Sequence, residues 1–143
     1  MVNSLSVAVQ KGLEISTVSH DRKCDYQNLL RVTVKYENSS RTISGTLIGN
    51  EIPRITEVQG IPIEANFAPK ILYVRNYDKP GFIGSIGTLL ANNKINIGSF
   101  HLGRRENSGE AIAILSIDQE VNNHTMKNLL NLEHVVSGDY MKF

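Results

Sequence analysis

The sequence contains few of the residues from which disulfides, redox centres and membrane spans are built. Cys24 is the only cysteine among 143 residues, which excludes a disulfide framework, a CxxC redox motif and a zinc site built on cysteines. The longest apolar runs, such as residues 111–115, are far shorter than the ~20 residues that cross a bilayer. The opening MVNSLSVAVQKG lacks the basic start and long apolar stretch of a signal peptide. We therefore expect a cytoplasmic protein with no membrane partner.

The sequence also lacks a strong excess of one charge and a cluster of histidines. The 15 basic and 14 acidic side chains leave a net charge of +1, whereas binding to nucleic acid normally needs a clustered basic face. Arg104 and Arg105 form the densest basic pair, which we expect to be solvated. No HxH, HxxxH or GxSxG spacing occurs, so we expect no metal site and no catalytic residue. The histidines are scattered at positions 20, 101, 124 and 134.

The first half of the chain is patterned mainly as strands. Residues 4–11 predict a short helix that stops at Gly12. Residues 29–36 alternate apolar and polar side chains with the two-residue period of a half-buried strand. Further strands are predicted at residues 13–18, 41–48, 52–59 and 61–67. A mainly antiparallel sheet with one short helix follows from this pattern, and Pro69 marks its boundary because proline fits poorly in a central strand.

The second half follows a different rhythm, β-α-β-β-α-β, which is the ferredoxin-like motif. Strands are predicted at residues 71–76, 95–102, 110–118 and 135–141. One helix runs from Pro80 to about residue 92, with Ile83, Ile86, Leu89 and Leu90 on its apolar face. A second covers residues 122–132, with Met126, Leu129 and Leu130 inward. RNA-binding domains of this topology need stacking aromatics on the central strands, and these are missing. The predicted fold class is α+β.

Polar residues gather around the start of the first of these helices. Free amides and the positive dipole end beside Pro80 and Gly81 suit a carboxylate. Asn76 and Asp78 leave the preceding strand, and Asn96 begins the next strand, near the same loop of this chain or of a partner chain. Together they could hold a zwitterion, although asparagine and aspartate are also ordinary turn residues. Gly84 and Gly87 favour close packing against a neighbouring backbone over ligand contact.

Four segments of the second half, matching RNxDxPG, IGxIGTLL, xINI and GRxxxxGEA, together resemble the ACT domain at the carboxyl end of D-3-phosphoglycerate dehydrogenase, the first enzyme of serine biosynthesis. SGTLIGNEIPRITEVQGIPIEA resembles the intervening, or allosteric substrate-binding, domain of the longer family members. The resemblance covers nearly the whole chain. It implies an intervening domain at residues 1–68 and a ferredoxin-like βαββαβ ACT domain at residues 69–143.

The resemblance also implies a regulatory fragment that is not catalytic alone. The family carries its substrate domain and its NAD-binding Rossmann domain upstream, so NAD is expected in the parent enzyme and no cofactor in this fragment. Family ACT domains pair side by side across a twofold axis, within an assembly expected to be a tetramer, and bind L-serine at the seam for feedback inhibition. The implied effector-binding residues are Asn76, Asp78, Gly81, Phe82, Ile83 and Asn96.

Arg54 stands where some intervening domains bind an anion, so it is a candidate anion-binding residue. Pro62 and Asn66 stand where basic residues can occur in the family. Two alternatives remain open at the level of sequence. One is a regulatory part of an iron–sulfur L-serine dehydratase, whose cluster would need several cysteines from elsewhere. The other is an oligomerisation module without a ligand, in which the asparagines and Asp78 are turn residues.

Overall fold

The computed structural model describes residues 3–19, 26–105 and 109–143. Its first sheet is a meander of four antiparallel strands in the order β1-β2-β3-β4, preceded by a short helix. A tight turn at Gln59 and Gly60, both with positive φ, joins β3 to β4, as the twist of a two-residue hairpin requires. The elements are α1 Ser4–Gln10, β1 Leu30–Tyr36, β2 Ser39–Ile48, β3 Ile52–Val58 and β4 Ile61–Asn66.

The first strand predicted for this half, at residues 13–18, is absent from the described structure. Residues 13–19 have no regular secondary structure, and Leu13, Ile15 and Val18 are exposed. Partial alternation gives a segment strand propensity, but a strand also needs a neighbour that pairs with its backbone. No described sheet edge pairs with this segment.

The second half has the predicted ferredoxin-like order, which confirms the α+β class. Its antiparallel sheet runs β6-β7-β5-β8. The Asn122 Oδ1 atom begins the second helix of this half by accepting the Thr125 N–H at 2.8 Å, a standard N-cap. The elements are β5 Lys70–Tyr77, α2 Phe82–Asn92, β6 Ile97–Arg104, β7 Glu110–Ile117, α3 Asn123–Leu130 and β8 Val135–Lys142.

Both helices of this half differ from the prediction, either in the residue at which they begin or in the side chains that they bury. Helix α2 starts at Phe82 and not at Pro80, because Gly81 takes a left-handed conformation at φ 97°. This start turns Phe82 into the core and leaves Ile83 55% exposed. In α3, Thr125 and Leu129 are buried, whereas Leu130, predicted to point inward, is exposed. In a helix of about two turns, the cap fixes the first residue and therefore which side chains face the core. The hydrophobic pattern alone did not show where that first residue lies.

The second sheet is buried on both of its faces. One face packs on α2 and α3 through side chains that include Leu72, Val74, Ile86 and Leu115. The other face packs on β3 and β4, and this inter-sheet core contains Ile55, Ile61, Ile63, Ala65, Ile71, Ile112 and Ile114. A strand covered on both faces reads as an unbroken apolar run, which explains the segment AIAIL in β7.

Candidate effector site

The loop between β5 and α2 is held in place by backbone hydrogen bonds from two directions. The Tyr77 N–H donates to the His134 carbonyl at 2.8 Å, and the Asp78 N–H donates to the Gly109 carbonyl at 2.8 Å. These contacts tie the loop to the segment before β8 and to the start of β7. The end of β5 is therefore a fixed platform for the side chains that follow it.

Backbone amides at the start of α2 are open to an anion. The N-cap residue is Gly81, so no side-chain hydrogen bond caps the helix, and its first turn contains no acidic residue. The Gly81 carbonyl does accept the Ser85 N–H at 2.9 Å, which closes the first helical turn. A helix start with uncapped amides and no acidic side chain attracts a carboxylate through its dipole.

Asn76 lies at the end of β5 with only 2% of its surface exposed. Its side-chain nitrogen donates to the Tyr77 carbonyl at 2.9 Å. Its Oδ1 atom is buried without a hydrogen-bond partner among the described residues. Leaving a buried acceptor unpaired costs about 1–3 kcal/mol, so this oxygen is ready for a donor from outside the chain. The sequence alone could not reveal this feature, since burial depends on how α2 crosses the sheet.

Asp78 lies beside a cation that the sequence assigned to solvent. Its Oδ2 atom is 3.5 Å from the Arg104 Nη1 atom at the end of β6. The neighbouring Arg105 donates to the Gln59 carbonyl in the turn between β3 and β4. Both arginines are exposed, as expected, and each guanidinium group also has a partner on another part of the chain. Asp78 remains partly exposed and can accept from a ligand ammonium group.

Asn96 lies at the other end of the sheet. Its side-chain nitrogen donates to the Asp118 Oδ2 atom at 2.7 Å, and its backbone N–H donates to the Gln119 Oε1 atom at 2.6 Å. Strand pairing sets Asn76 level with the end of β6, whereas Asn96 precedes the first residue of β6. Eight residues of strand at about 3.3 Å each separate the two ends by roughly 25 Å. One chain therefore does not bring Asn96 to Asp78, so the two residues do not share a site within a single copy.

The helix glycines do not approach a neighbouring backbone within the described chain. A Cβ atom added to Gly84 or Gly87 would meet nothing within 4 Å, so the close packing expected from sequence is wrong for a single copy. Together with Ser85 and Thr88, Gly84 lines an open groove along α2 that begins at Gly81. Of the three predicted amide positions, Gly81, Phe82 and Ile83, only Gly81 lines this groove.

Arg54 occupies a different part of the molecule, near the contact between the two sheets. Its Nη1 atom donates to the Asn66 Oδ1 atom, and its Nε atom is buried without a partner among the described residues. His101 on β6 is close enough to feel its charge. Burial, assisted by Arg54, lowers the pKa of His101, and a backbone contact with Glu64 opposes this change. The buried Nε donor of Arg54, beside the His101 imidazole, is the observation that supports a candidate anion site here.

The described residues offer neither a metal-binding cluster nor a helix that could span a membrane. No group of three or more His, Cys, Asp or Glu side chains in residues 3–19, 26–105 and 109–143 could hold a metal ion. In the same ranges, no helix has the length and apolar character needed to cross a membrane.

Two known protein families match consecutive parts of the chain. Residues 1–59 match the D-3-phosphoglycerate dehydrogenase intervening domain, and residues 70–134 match the ACT domain. Fold and sequence thus define a chain in which an intervening domain precedes an ACT domain. The chain is similar, over nearly all of its length, to proteins named D-3-phosphoglycerate dehydrogenase, and its two domains are consistent with a regulatory fragment of that enzyme.

Individual relatives agree with these two matches. The chain is 33% identical to a D-3-phosphoglycerate dehydrogenase of Bacillus subtilis over 95% of its own length and 26% of that protein. Identity to the Archaeoglobus fulgidus enzyme of the same name is 30%, over 99% of the chain and 27% of the relative. The chain thus spans about a quarter of these relatives. A probable L-serine dehydratase beta chain of Bacillus subtilis is 27% identical over 93% of the chain and 60% of that protein.

Proposed function

We propose that this chain senses L-serine for feedback inhibition of an NAD-dependent D-3-phosphoglycerate dehydrogenase, with the ligand bound between two ACT domains. The observation that carries the proposal is the buried, unpartnered Oδ1 atom of Asn76, one residue from the loop that leads to the uncapped start of α2. In this site the carboxylate of serine binds the amides near Gly81, Phe82 and Ile83. Its ammonium group binds Asp78, and Asn76 accepts a further hydrogen bond from the ligand.

A second copy completes the site if the two β6 strands pair along their free edges. Within the described residues β6 pairs only with β7, so its outer edge can accept another strand. Phe100 lies midway between Asn96 and Arg104. An antiparallel pair centred on Phe100 sets Asn96 of the second copy level with Arg104, which already contacts Asp78. This arrangement accounts for the distance between Asn96 and Asp78 in one chain.

Serine would act by preferring one arrangement of the assembly. A ligand shifts a conformational equilibrium only by its difference in affinity for the two states, and a coupling free energy of ~1–3 kcal/mol gives the usual five- to hundredfold effect. Dehydrogenation, with its NAD, belongs to the parent enzyme, which we propose to be a cytoplasmic tetramer. We also propose that the domains divide at residues 68 and 69, between β4 and β5.

Calorimetry with L-serine tests this site directly. Asp78→Asn removes the carboxylate that pairs with the ammonium group, and a charged hydrogen bond of ~1.5–3 kcal/mol corresponds to about a 10- to 100-fold weaker affinity. Asn96→Ala should weaken binding and the serine-linked association of two chains together. Asp139→Asn is the matched control, because Asp139 is exposed on β8 at the opposite edge of the sheet. Undiminished binding in both site variants would remove the proposed site.

A second candidate is the regulatory part of an L-serine dehydratase, which the similarity to the dehydratase beta chain favours. The adjoining coding sequence distinguishes the two, since a Rossmann GxGxxG belongs with a dehydrogenase and a cysteine-rich chain with an iron–sulfur dehydratase. Serine binding is common to both candidates. A ligand-free oligomerisation module would instead sediment identically with and without serine and give no calorimetric signal.

The candidate anion site at Arg54 is a separate proposal. We propose that a small anion such as inorganic phosphate binds at its unpartnered Nε atom, beside His101. Titration with phosphate, compared between wild type and Arg54→Gln, tests this, and equal heats in the two proteins would refute it.

A further inference from the structure

Two consecutive arginines where β6 ends connect the effector loop to the first sheet. The Arg104 guanidinium lies beside the Asp78 carboxylate, with 3.5 Å between Nη1 and Oδ2. The next residue, Arg105, donates from its Nη2 atom to the Gln59 carbonyl in the turn between β3 and β4. Because the peptide that joins the two arginines is planar and rigid, a movement of the Arg104 backbone displaces Arg105 as well.

The contact between Arg105 and the turn is closely fitted. Gln59 and Gly60 have φ values of 55° and 75°, and the Gln59 N–H donates to the Thr42 carbonyl at 2.9 Å. A Cβ atom added to Gly60 would lie 3.0 Å from the Arg105 Nη2 atom, so the guanidinium lies directly against the turn. A change in the position of Arg105 therefore alters the surroundings of the Gln59 and Gly60 amides.

The pair between Arg104 and Asp78 is more exposed and easier to break. The two side chains are 66% and 39% exposed, and water and salt screen exposed ion pairs of this kind. Asp78 is the only carboxylate in the loop from Asn76 to Gly81, so a ligand ammonium group and the Arg104 guanidinium are drawn to the same oxygens. Since two cations at one carboxylate repel each other, binding of the ammonium group favours departure of the guanidinium.

We propose that Arg104 is an internal competitor of the effector, and that its displacement from Asp78 is relayed through Arg105 to the turn between β3 and β4. This relay rests on the proposed function, since Asp78 is taken as the position of the serine ammonium group. In the empty site, the Arg104 guanidinium holds the end of β6 toward the effector loop. In the occupied site this contact is lost, and the contact of Arg105 with the first sheet changes.

Calorimetry with L-serine tests the competition. Arg104→Gln removes the competing cation and should tighten serine binding by up to about fivefold, the factor that corresponds to an exposed ion pair. Lys79→Gln is the matched control and should not tighten binding, because it removes a positive charge from the same loop, whereas Asp78 pairs with Arg104 among the described residues. The Arg104 side chain is 66% exposed, so circular dichroism should show that Arg104→Gln stays folded.

The amide NMR signals of Gln59 and Gly60 test the relay. Serine should shift both signals in the wild-type chain, and Asp78→Asn should shift them in the same direction without serine, because it also releases the guanidinium. Arg105→Gln should abolish the shift at saturating serine, although serine still binds. Asp139→Asn, on β8 at the opposite edge of the sheet, should leave both signals unchanged.

Failure of the relay is distinguishable from failure of the serine site. No heat with L-serine in the wild-type chain would overturn the proposed function and, with it, the role of Arg104 as a competitor. Serine binding that Arg104→Gln weakens or leaves unchanged would overturn the competition alone. Turn amides that move neither with serine nor in Asp78→Asn would overturn the relay, even where serine binds.

Discussion

Replacing Gly103 by alanine should force the two sheets apart where β6 packs on β4. A Cβ atom at Gly103 would lie 2.6 Å from the Pro62 carbonyl oxygen, 3.0 Å from the Ile63 Cβ atom and 3.1 Å from the Ile61 Cγ2 atom. The oxygen belongs to the backbone of β4 and cannot rotate away, so β4 and β6 must move apart. Overpacking of this kind typically costs 1–3 kcal/mol.

The cost falls on the inter-sheet core as well as on the contact itself. Ile61 and Ile63 are 3% and 5% exposed, and any shift of β4 loosens their packing on Ile112 and Ile114. We therefore expect Gly103→Ala to lower the free energy of unfolding by about 2 kcal/mol. For a chain of this size that corresponds to a fall of roughly 5–8 °C in melting temperature.

Urea unfolding followed by circular dichroism measures this change, and Gly87→Ala provides the control. Gly87 lies inside α2 with nothing within 4 Å of an added Cβ atom, so alanine should stabilise the protein by roughly 0.5–1 kcal/mol through helix propensity. The two glycine-to-alanine changes thus have opposite predicted signs. A Gly103→Ala protein as stable as wild type would refute the claim that this contact holds the sheets together.

Three other outcomes follow from single contacts. Burial lowers the pKa of His101 below 6.5, so the unfolded chain binds the proton first and the free energy of unfolding falls as pH drops below about 6.5; His101→Gln should flatten this dependence in urea titrations between pH 7 and 5, and His124→Gln should not. Asn122→Ala removes the cap of α3 and should cost about 1 kcal/mol, against little change for Asn131→Ala. Arg31→Ala removes a largely exposed pair with Glu57 and should change the free energy of unfolding by less than about 1 kcal/mol.

Local patterns in the sequence predicted most of the elements. The alternation in residues 29–36 and the β-α-β-β-α-β order both appear in the structure, because side-chain period and turn residues act over a few positions. The same reasoning misjudged residues 13–18 and the inward face of α2. A strand needs a neighbouring strand that pairs with it, and that strand can lie far away in the chain. A helix needs a cap, which decides where the helix begins.

For the candidate site, the sequence indicated which residues to consider, and the tertiary structure decided how they relate. The sequence alone shows that Asn76 and Asp78 come shortly before the residues that form α2. That the Oδ1 atom of Asn76 is buried without a partner, and that Arg104 reaches Asp78, depends on how the strands are ordered. The order of the strands in the sheet cannot be read from any short stretch of the sequence.

Sequence by itself determined the resemblance to the family, the α+β class and the polar character of the loop before α2, since each rests on residues that are neighbours along the chain. Only the tertiary structure decided that Asn96 lies at the far end of the sheet from Asp78 and that β7 is covered on both faces. The physical reason is that burial and proximity are properties of pairs of elements. Hydrophobic side chains specify that a face must be covered, but which element covers it depends on where the rest of the chain is free to pack.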